Sequence, residues 1–299
     1  MIVVTGAAGC FAREVVLALY DRGVPTSGIA VVVGDPGGTG DLAAAGVDVR
    51  RVDHERPRTL ASAFDGAEKV LVVPDGDLGP GVSHLRALID AASAAGARLI
   101  AYAGVLQPDA TVLAAGPGHS VVEGHLRACG TPYAVLRNGW CAEHCEPTVR
   151  QGIATGVITG AAGDGRIASA SIADYAAAAA VVLTTEGHEN TVRELSGDTA
   201  WSMPDLAATL TEITGRPISY RYVPPRRQAL ALARAGVPLP AARAVARVDA
   251  AISAGHLGAA SDALSRLIGR PTVPLEETLT AIVADIGPDA VRGTPWVRG

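Results

Sequence analysis

Gly6 and Gly9, in the run Thr5-Gly6-Ala7-Ala8-Gly9-Cys10-Phe11, have the type and spacing to hold a diphosphate. A short apolar run, Ile2 to Val4, leads into them, and a helical pattern follows from Cys10 to Asp21. A strand that passes through a glycine turn into a helix start leaves backbone N–H groups unpaired at the positive end of the helix dipole. Gly6 permits the tight turn and Gly9 lets the main chain approach phosphate, as in dinucleotide sites. The expected cradle is Gly6, Ala7, Ala8, Gly9, Cys10 and Phe11, with Ala12 where a third glycine would fall.

The other residue types narrow the chemistry. Cys10, Cys129, Cys141 and Cys145 are the four cysteines. Cys141, His144 and Cys145 lie close together but lack the second ligand pair of a zinc site, so no metal is expected, only reduced thiols. The net charge is −5 and no basic cluster stands out, which argues against nucleic acid. Lys69 is the one lysine. No uncharged apolar run reaches about 18 residues, so no membrane partner is expected. Met1 opens the first strand, so no leader is expected, and a cytoplasmic protein follows.

Elements able to position these residues can be read from the pattern. Strand-like runs fall at Ile29–Val33, Val47–Val52, Lys69–Val73, Arg98–Ala103 and Tyr133–Leu136. Helical patterns lie near Cys10–Asp21, Pro57–Ala63, Val82–Ala95 and Ser120–Cys129. Near-continuous apolar strands alternating with helices predict an α/β fold, a Rossmann-type doubly wound parallel sheet. Beyond Arg137 the alternation weakens. A strand follows the helix end within Arg150–Thr159, then a loop at 160–165 and a helix opening at Ser171-Ile-Ala-Asp174. A strand at Thr191–Leu195, a helix at Met203–Thr214 and a strand at Ile218–Val223 precede mostly helical sequence. The expected organisation is a dinucleotide-binding domain over 1–152, with later segments returning to it. A smaller, mostly helical substrate lobe spans 153–286 and a tail spans 287–299. The cleft is expected where the lobes meet.

The chain resembles the NmrA-like group of atypical short-chain dehydrogenases, most closely the type-2 NAD(P)H:quinone oxidoreductases. Three stretches carry the likeness: the opening VTGAAG, Leu136-Arg137-Asn138-Gly139-Trp140, and GAAGDGRIASASIADYAAAAA at 160–180. Ile100-Ala101-Tyr102, Leu195-Ser196-Gly197-Asp198 and Leu264-Ser265-Arg266-Leu267-Ile268-Gly269 add to it. The resemblance implies a nicotinamide dinucleotide lying across the strand ends. The cofactor contacts it implies beyond the cradle are Asp35, Asp53, Val73, Pro74, Ala103 and Asn138. It places Asn138 beside the nicotinamide, able to bond the ribose or a substrate oxygen. Trp140 can stack on a flat ring, and His119 matches a family histidine suited to binding or protonation. His144, on the same loop as Trp140, is a second candidate, and Tyr102 has the chemistry of a proton donor.

The departures from the family are chemical. An arginine that pairs with the 2′-phosphate of NADP is usual at the end of the second strand, where Gly34 stands here, followed by Asp35. A carboxylate accepts from a ribose 2′-OH and repels a 2′-phosphate, which favours NAD, although Arg50 or Arg51 can still reach a phosphate. Gly34-Asp-Pro-Gly-Gly38 is equally a good turn. Gly124 fills the lysine position of the related quinone reductases, with Ser120 four residues earlier and Ala103-Gly104 in place of Thr-Ser. Proton transfer by a tyrosine–lysine pair is therefore excluded. A quinone tolerates that loss, because hydride addition yields an aromatic hydroquinone anion, a weaker base than an alkoxide. The expected function is NAD(P)H-dependent reduction of a quinone or quinone-like aromatic carbonyl by direct hydride transfer. Two rivals are a non-catalytic NAD(P)-binding regulator and a diverged non-redox or coupling enzyme acting on aromatic polyketide-like metabolites. A homo-oligomer stays open.

Overall fold

A computed structural model describes residues 1–53, 56–74, 78–109 and 116–287. In chain order its elements begin with β1 (Ile2–Thr5), α1 (Cys10–Asp21), β2 (Ile29–Val33), α2 (Gly40–Ala44), β3 (Asp48–Arg51), α3 (Pro57–Ala63) and β4 (Lys69–Val72). They continue with α4 (Leu78–Ala94), β5 (Leu99–Val105), α5 (Gly116–Ala128), β6 (Tyr133–Asn138), α6 (Glu146–Thr155), β7 (Val157–Gly160) and β8 (Arg166–Ile167). Next come α7 (Ile172–Thr184), β9 (Thr191–Leu195), β10 (Trp201–Ser202), α8 (Met203–Thr214) and β11 (Ser219–Tyr222). Four helices complete the series: α9 (Pro225–Arg234), α10 (Leu239–Ser253), α11 (Ala263–Ile268) and α12 (Leu275–Ile286).

The chain divides into two units. The first comprises Met1–Asn138, Ile172–Leu195 and Ala263–Arg270. Its seven strands form one sheet in the order β3-β2-β1-β4-β5-β6-β9, with every neighbouring pair parallel. The reversal of order at β1 and β4 is the switch point that opens a ligand crevice in doubly wound sheets. All five residues of β2 and all four of β4 are buried, as a sheet covered on both faces requires. On one face Val32, Val70, Ile100 and Val135 pack with Leu85, Leu88 and Ile89 of α4 and Val122 and Leu126 of α5. α1 packs on α7, whose Ala176, Ala178, Ala179 and Ala180 are fully buried and let another helix come close. Ala12 is fully buried too, so the fold has accommodated the methyl that replaces a third glycine.

The second unit comprises Gly139–Ser171, Ser196–Asp262 and Pro271–Gly299. It is mostly helical, with β7–β11 pairing parallel and β8–β10 antiparallel. Val149, Ile153, Ile158, Leu206, Leu210, Ile252 and Leu279 form its core. Two glycines are fixed here by close approach. A Cβ on Gly165 would fall 2.1 Å from the Ile252 carbonyl oxygen, and one on Gly197 would fall 1.9 Å from that of Ser169. The 160–165 loop is clamped as well, since Ala161 N donates to Asp249 Oδ2 at 2.8 Å and Gly163 N to the Tyr220 hydroxyl at 3.0 Å.

The expected elements recur with shifted ends. The helix read over Val82–Ala95 starts at Leu78 and the one read over Ser120–Cys129 starts at Gly116. The five-residue α2 and the two-residue β8 and β10 carry no periodicity and were not expected. The tail beyond Gly287 lies outside the described residues.

Candidate functional site

The glycine turn forms as its sequence requires. Gly6 has φ +72°, a conformation that L side chains resist, and its N–H donates to Val32 O at 3.0 Å. Gly9 N donates to Gly6 O at 2.9 Å and caps α1 without a side-chain bond. The first intrahelical bond runs from Arg13 N to Gly9 O, which leaves the amides of Cys10, Phe11 and Ala12 without an intrahelical acceptor. Thr5 Oγ1 accepts from Val73 N at 2.9 Å, tying the ends of β1 and β4 together beneath the turn. Beside Gly6 and Gly34, the strand-end residues Thr5, Val32, Val52 and Val73 and the α4 residues His84, Leu85 and Leu88 line a pocket. Apolar walls beside a glycine turn are the surface types that an adenosine and its diphosphate require. His84 was not anticipated there.

Asp35 realises the turn reading: its Oδ1 accepts from Gly37 N at 3.0 Å and caps a short 3-10 turn. Asp53 Oδ2 lies 3.2 Å from Arg56 Nε, and Asp53 N donates to Thr59 Oγ1 at 3.0 Å. The expectation that Arg50 can reach a phosphate fails. Its guanidinium is held by Asp48 and by the carbonyls of Ala63 and Asp65, beside Met1 at the opposite end of the strands. Arg13, from α1, donates to Gly38 O at 2.9 Å and to the Asp41 carboxylate.

Tyr102 and His119 come together. The fully buried Tyr102 hydroxyl lies 2.7 Å from His119 Nδ1, and His119 is 4% exposed. Burial drives the phenol far above its ordinary range, and the Glu123 charge adds to this. Burial also pulls His119 down to about 4, against a smaller opposing effect of Glu123. Both groups are therefore neutral near pH 7. The phenol O–H can donate to Nδ1, an arrangement that leaves the imidazole proton on Nε2. Nε2 has no hydrogen-bond partner among the described residues.

A charged cluster absent from the sequence reading lies one turn further along α5. Glu123, 1% exposed, accepts from Arg137 Nε at 2.9 Å and Nη2 at 2.8 Å, and from Arg127 Nη2 at 2.7 Å. Arg137 Nη1 then reaches Glu194 Oε1 at 3.0 Å. The bidentate arginine–carboxylate fork fixes α5 against β6.

Asn138 ends β6, and its Oδ1 is buried without a hydrogen-bond partner. An orphaned acceptor of this kind costs free energy and suits a ligand donor. Ala103 is buried in β5, and Val73 and Pro74 follow directly on the end of β4. The structure confirms that no tyrosine–lysine pair forms. Lys69 starts β4, at the far end of the strand from the turn, and its Nζ donates to Thr185 O at 2.8 Å. Gly124 is exposed, and Ser120 Oγ donates to Asp109 at 2.5 Å. In the second unit Trp140 and His144 make a T-shaped pair with centroids 5.0 Å apart. No group of three or more His, Cys, Asp or Glu placed to hold a metal occurs among the described residues.

A model of the NmrA-like family matches residues 1–250. Quinone oxidoreductase 2 of Escherichia coli (strain K12) is 40% identical over 280 residues, covering 94% of this chain and 98% of that protein. The crystal structure of the Escherichia coli NADPH-dependent quinone oxidoreductase complexed with NADPH matches with a TM-score of 0.90 at 40% identity, covering 95% of this chain and 100% of that one. Citrobacter sp. triphenylmethane reductase matches with a TM-score of 0.88 at 32% identity, covering 95% and 99%. With its glycine turn, its switch point and these relatives in agreement, the chain belongs to the NmrA-like family.

Proposed function

We propose that this protein is an NAD(P)H-dependent reductase of quinones or quinone-like aromatic carbonyls, and that His119 is the residue that receives the developing charge on the substrate oxygen. The observation that carries the role of His119 is its neutral ring with Nδ1 2.7 Å from the Tyr102 hydroxyl, a contact that leaves Nε2–H free to donate when the phenol is the donor. The cradle of Gly6 to Phe11 holds the diphosphate, the pocket beside Gly34 the adenosine, and Asn138 bonds the ribose or the substrate. When bound, the reduced nicotinamide supplies the hydride. A histidine titrating near 4 is uncharged at neutral pH, so it acts as a hydrogen-bond donor to an oxyanion rather than as a proton source. This narrows the sequence expectation of binding or protonation to binding. The hydroquinone anion then takes its proton from water.

Following nicotinamide absorbance with NADH or NADPH and a panel of quinones tests the activity. His119→Ala is expected to lower kcat about 10²-fold, the cost of one oxyanion donor, with little change in KM. Retention of full kcat overturns the role of His119, whereas a wild-type protein inert toward every quinone overturns the activity itself. Activity is expected to stay level from pH 8 to 5, with no inflection near 6.5. Stability behaves differently. His119 protonates near 6.5 when unfolded and near 4 when folded, so the unfolded chain binds the extra proton. Stability is thus fully present above 6.5 and falls as pH drops toward 4, by about 3 kcal/mol in all. Denaturant titrations of His119→Gln should show a shallower slope over that window.

For the cofactor, the reading is a preference for NADH. It is supported by Gly34 at the usual arginine position, by the Asp35 carboxylate beside it, and by the engagement of Arg50 and Arg13 elsewhere. The ratio of kcat/KM for NADH over NADPH is expected to exceed one and to fall in Asp35→Ala. A ratio below one, unchanged by that substitution, defeats the assignment and turns attention to Arg51.

A further inference from the structure

Between Glu212 and Asp249 the chain carries seven arginines and no acidic residue, although the whole protein has net charge −5. The expectation of no basic cluster fails here. Arg226, Arg227, Arg234, Arg243 and Arg247 are all exposed on α9 and α10, which pack together as a hairpin. None of the five guanidinium groups forms a hydrogen bond or ion pair with another described residue. Arg226, Arg227 and Arg234 fall on one face of α9 at i, i+1 and i+8. Leu230, 52% exposed, sits among them. On α10, Leu239, Arg243 and Arg247 follow at i, i+4 and i+8, with Leu239 41% exposed. The remaining sequence holds the acidic excess, so this surface is the one that an anionic partner would meet.

We infer that the α9–α10 hairpin attaches the protein to an anionic lipid surface. The charge selects an anionic partner, since clustered guanidiniums are drawn to acidic headgroups within a Debye length. The interleaved leucines favour lipid over a nucleic acid. Aliphatic side chains can enter the boundary between headgroups and acyl chains, and a nucleic acid backbone offers no such apolar layer. No helix among the described residues is long and apolar enough to cross a membrane. The attachment is therefore peripheral and reversible.

Co-sedimentation with phosphatidylcholine vesicles, with and without phosphatidylglycerol, tests it on the whole protein. Binding is expected with the anionic vesicles alone and is expected to weaken steeply as salt rises. Changing Arg226, Arg227, Arg234, Arg243 and Arg247 to glutamine together should reduce it more than tenfold while leaving reduction of a water-soluble quinone unchanged. Leu230→Ser with Leu239→Ser should weaken it without removing the salt dependence. Equal binding to neutral vesicles overturns the inference, as does no binding to either kind. Retention on DNA or heparin without vesicle binding also overturns it and reassigns the patch to a polyanion. Quinone turnover is read separately, so failure of vesicle binding leaves the catalytic reading standing.

Discussion

Replacing Glu123 by alanine is expected to lower stability by about 3 kcal/mol, near the lower end for removal of one partner from a buried ion pair. Arg137 would lose both bonds of its fork and keep only Glu194, with its side chain 17% exposed. Arg127, at 39%, can turn to water, which is why the cost is set at the lower end. Thermal midpoints would fall by about 6–12 °C at 2–4 °C per kcal/mol. The pair variant Glu123→Met with Arg137→Met should recover most of the loss, because apolar replacements of a buried pair are often neutral. A midpoint unchanged within error in Glu123→Ala would show that the cluster contributes specificity of fit and not stability. His119 lies four residues earlier on α5, so the same variant should also reduce kcat.

Gly197→Ala should be more damaging still. Its new methyl would sit 1.9 Å from the Ser169 carbonyl oxygen and 2.8 Å from its carbon, both of them main-chain atoms with no rotamer to yield. Gly197 N also donates to Ala168 O at 3.1 Å, so the segments cannot separate without losing that bond. Overpacking by a methyl usually costs about 1–3 kcal/mol, and a clash with backbone belongs at or beyond the top of that range. The expected result is little soluble protein and a midpoint lower by about 6–12 °C or more, at roughly 2–4 °C per kcal/mol. Gly124→Ala serves as the contrast, since nothing lies within 4 Å of its added Cβ. In a helix interior that change should stabilise by about 0.5–1 kcal/mol. Equal midpoints for the two variants would sink the close-approach account.

How much of this was legible in the sequence depends on range. The β1–α1 corner is local, and the turn, the helix start and the buried strand are written within Met1–Asp21. The parallel sheet followed from strands read as buried runs, whereas its order, reversing at β1 and β4, is visible only in the fold. Of the Glu123 cluster only the i, i+4 pair with Arg127 is local; the links Glu123–Arg137 and Arg137–Glu194 were not legible, because they join residues 14 and 57 apart. Nothing in the periodicity pairs them. Tyr102 and His119 were each singled out, yet only the fold shows them joined by a hydrogen bond, and only burial shows that the histidine stays neutral. Asp35 was ambiguous in sequence and remains dual: it caps a turn and still presents a carboxylate beside Gly34. The basic hairpin was readable, but a negative total charge concealed a local excess of arginine.

The position of Lys69 bears on how this protein can be handled. Acylating and cross-linking reagents seek uncharged, accessible amines, and this side chain is 8% exposed with its Nζ against Thr185 O and Glu186. Coupling at lysine is therefore restricted to this one shielded side chain. Where a label does attach at Lys69, it lies the length of β4 away from the glycine turn, so tethering through it should leave that end of the sheet clear.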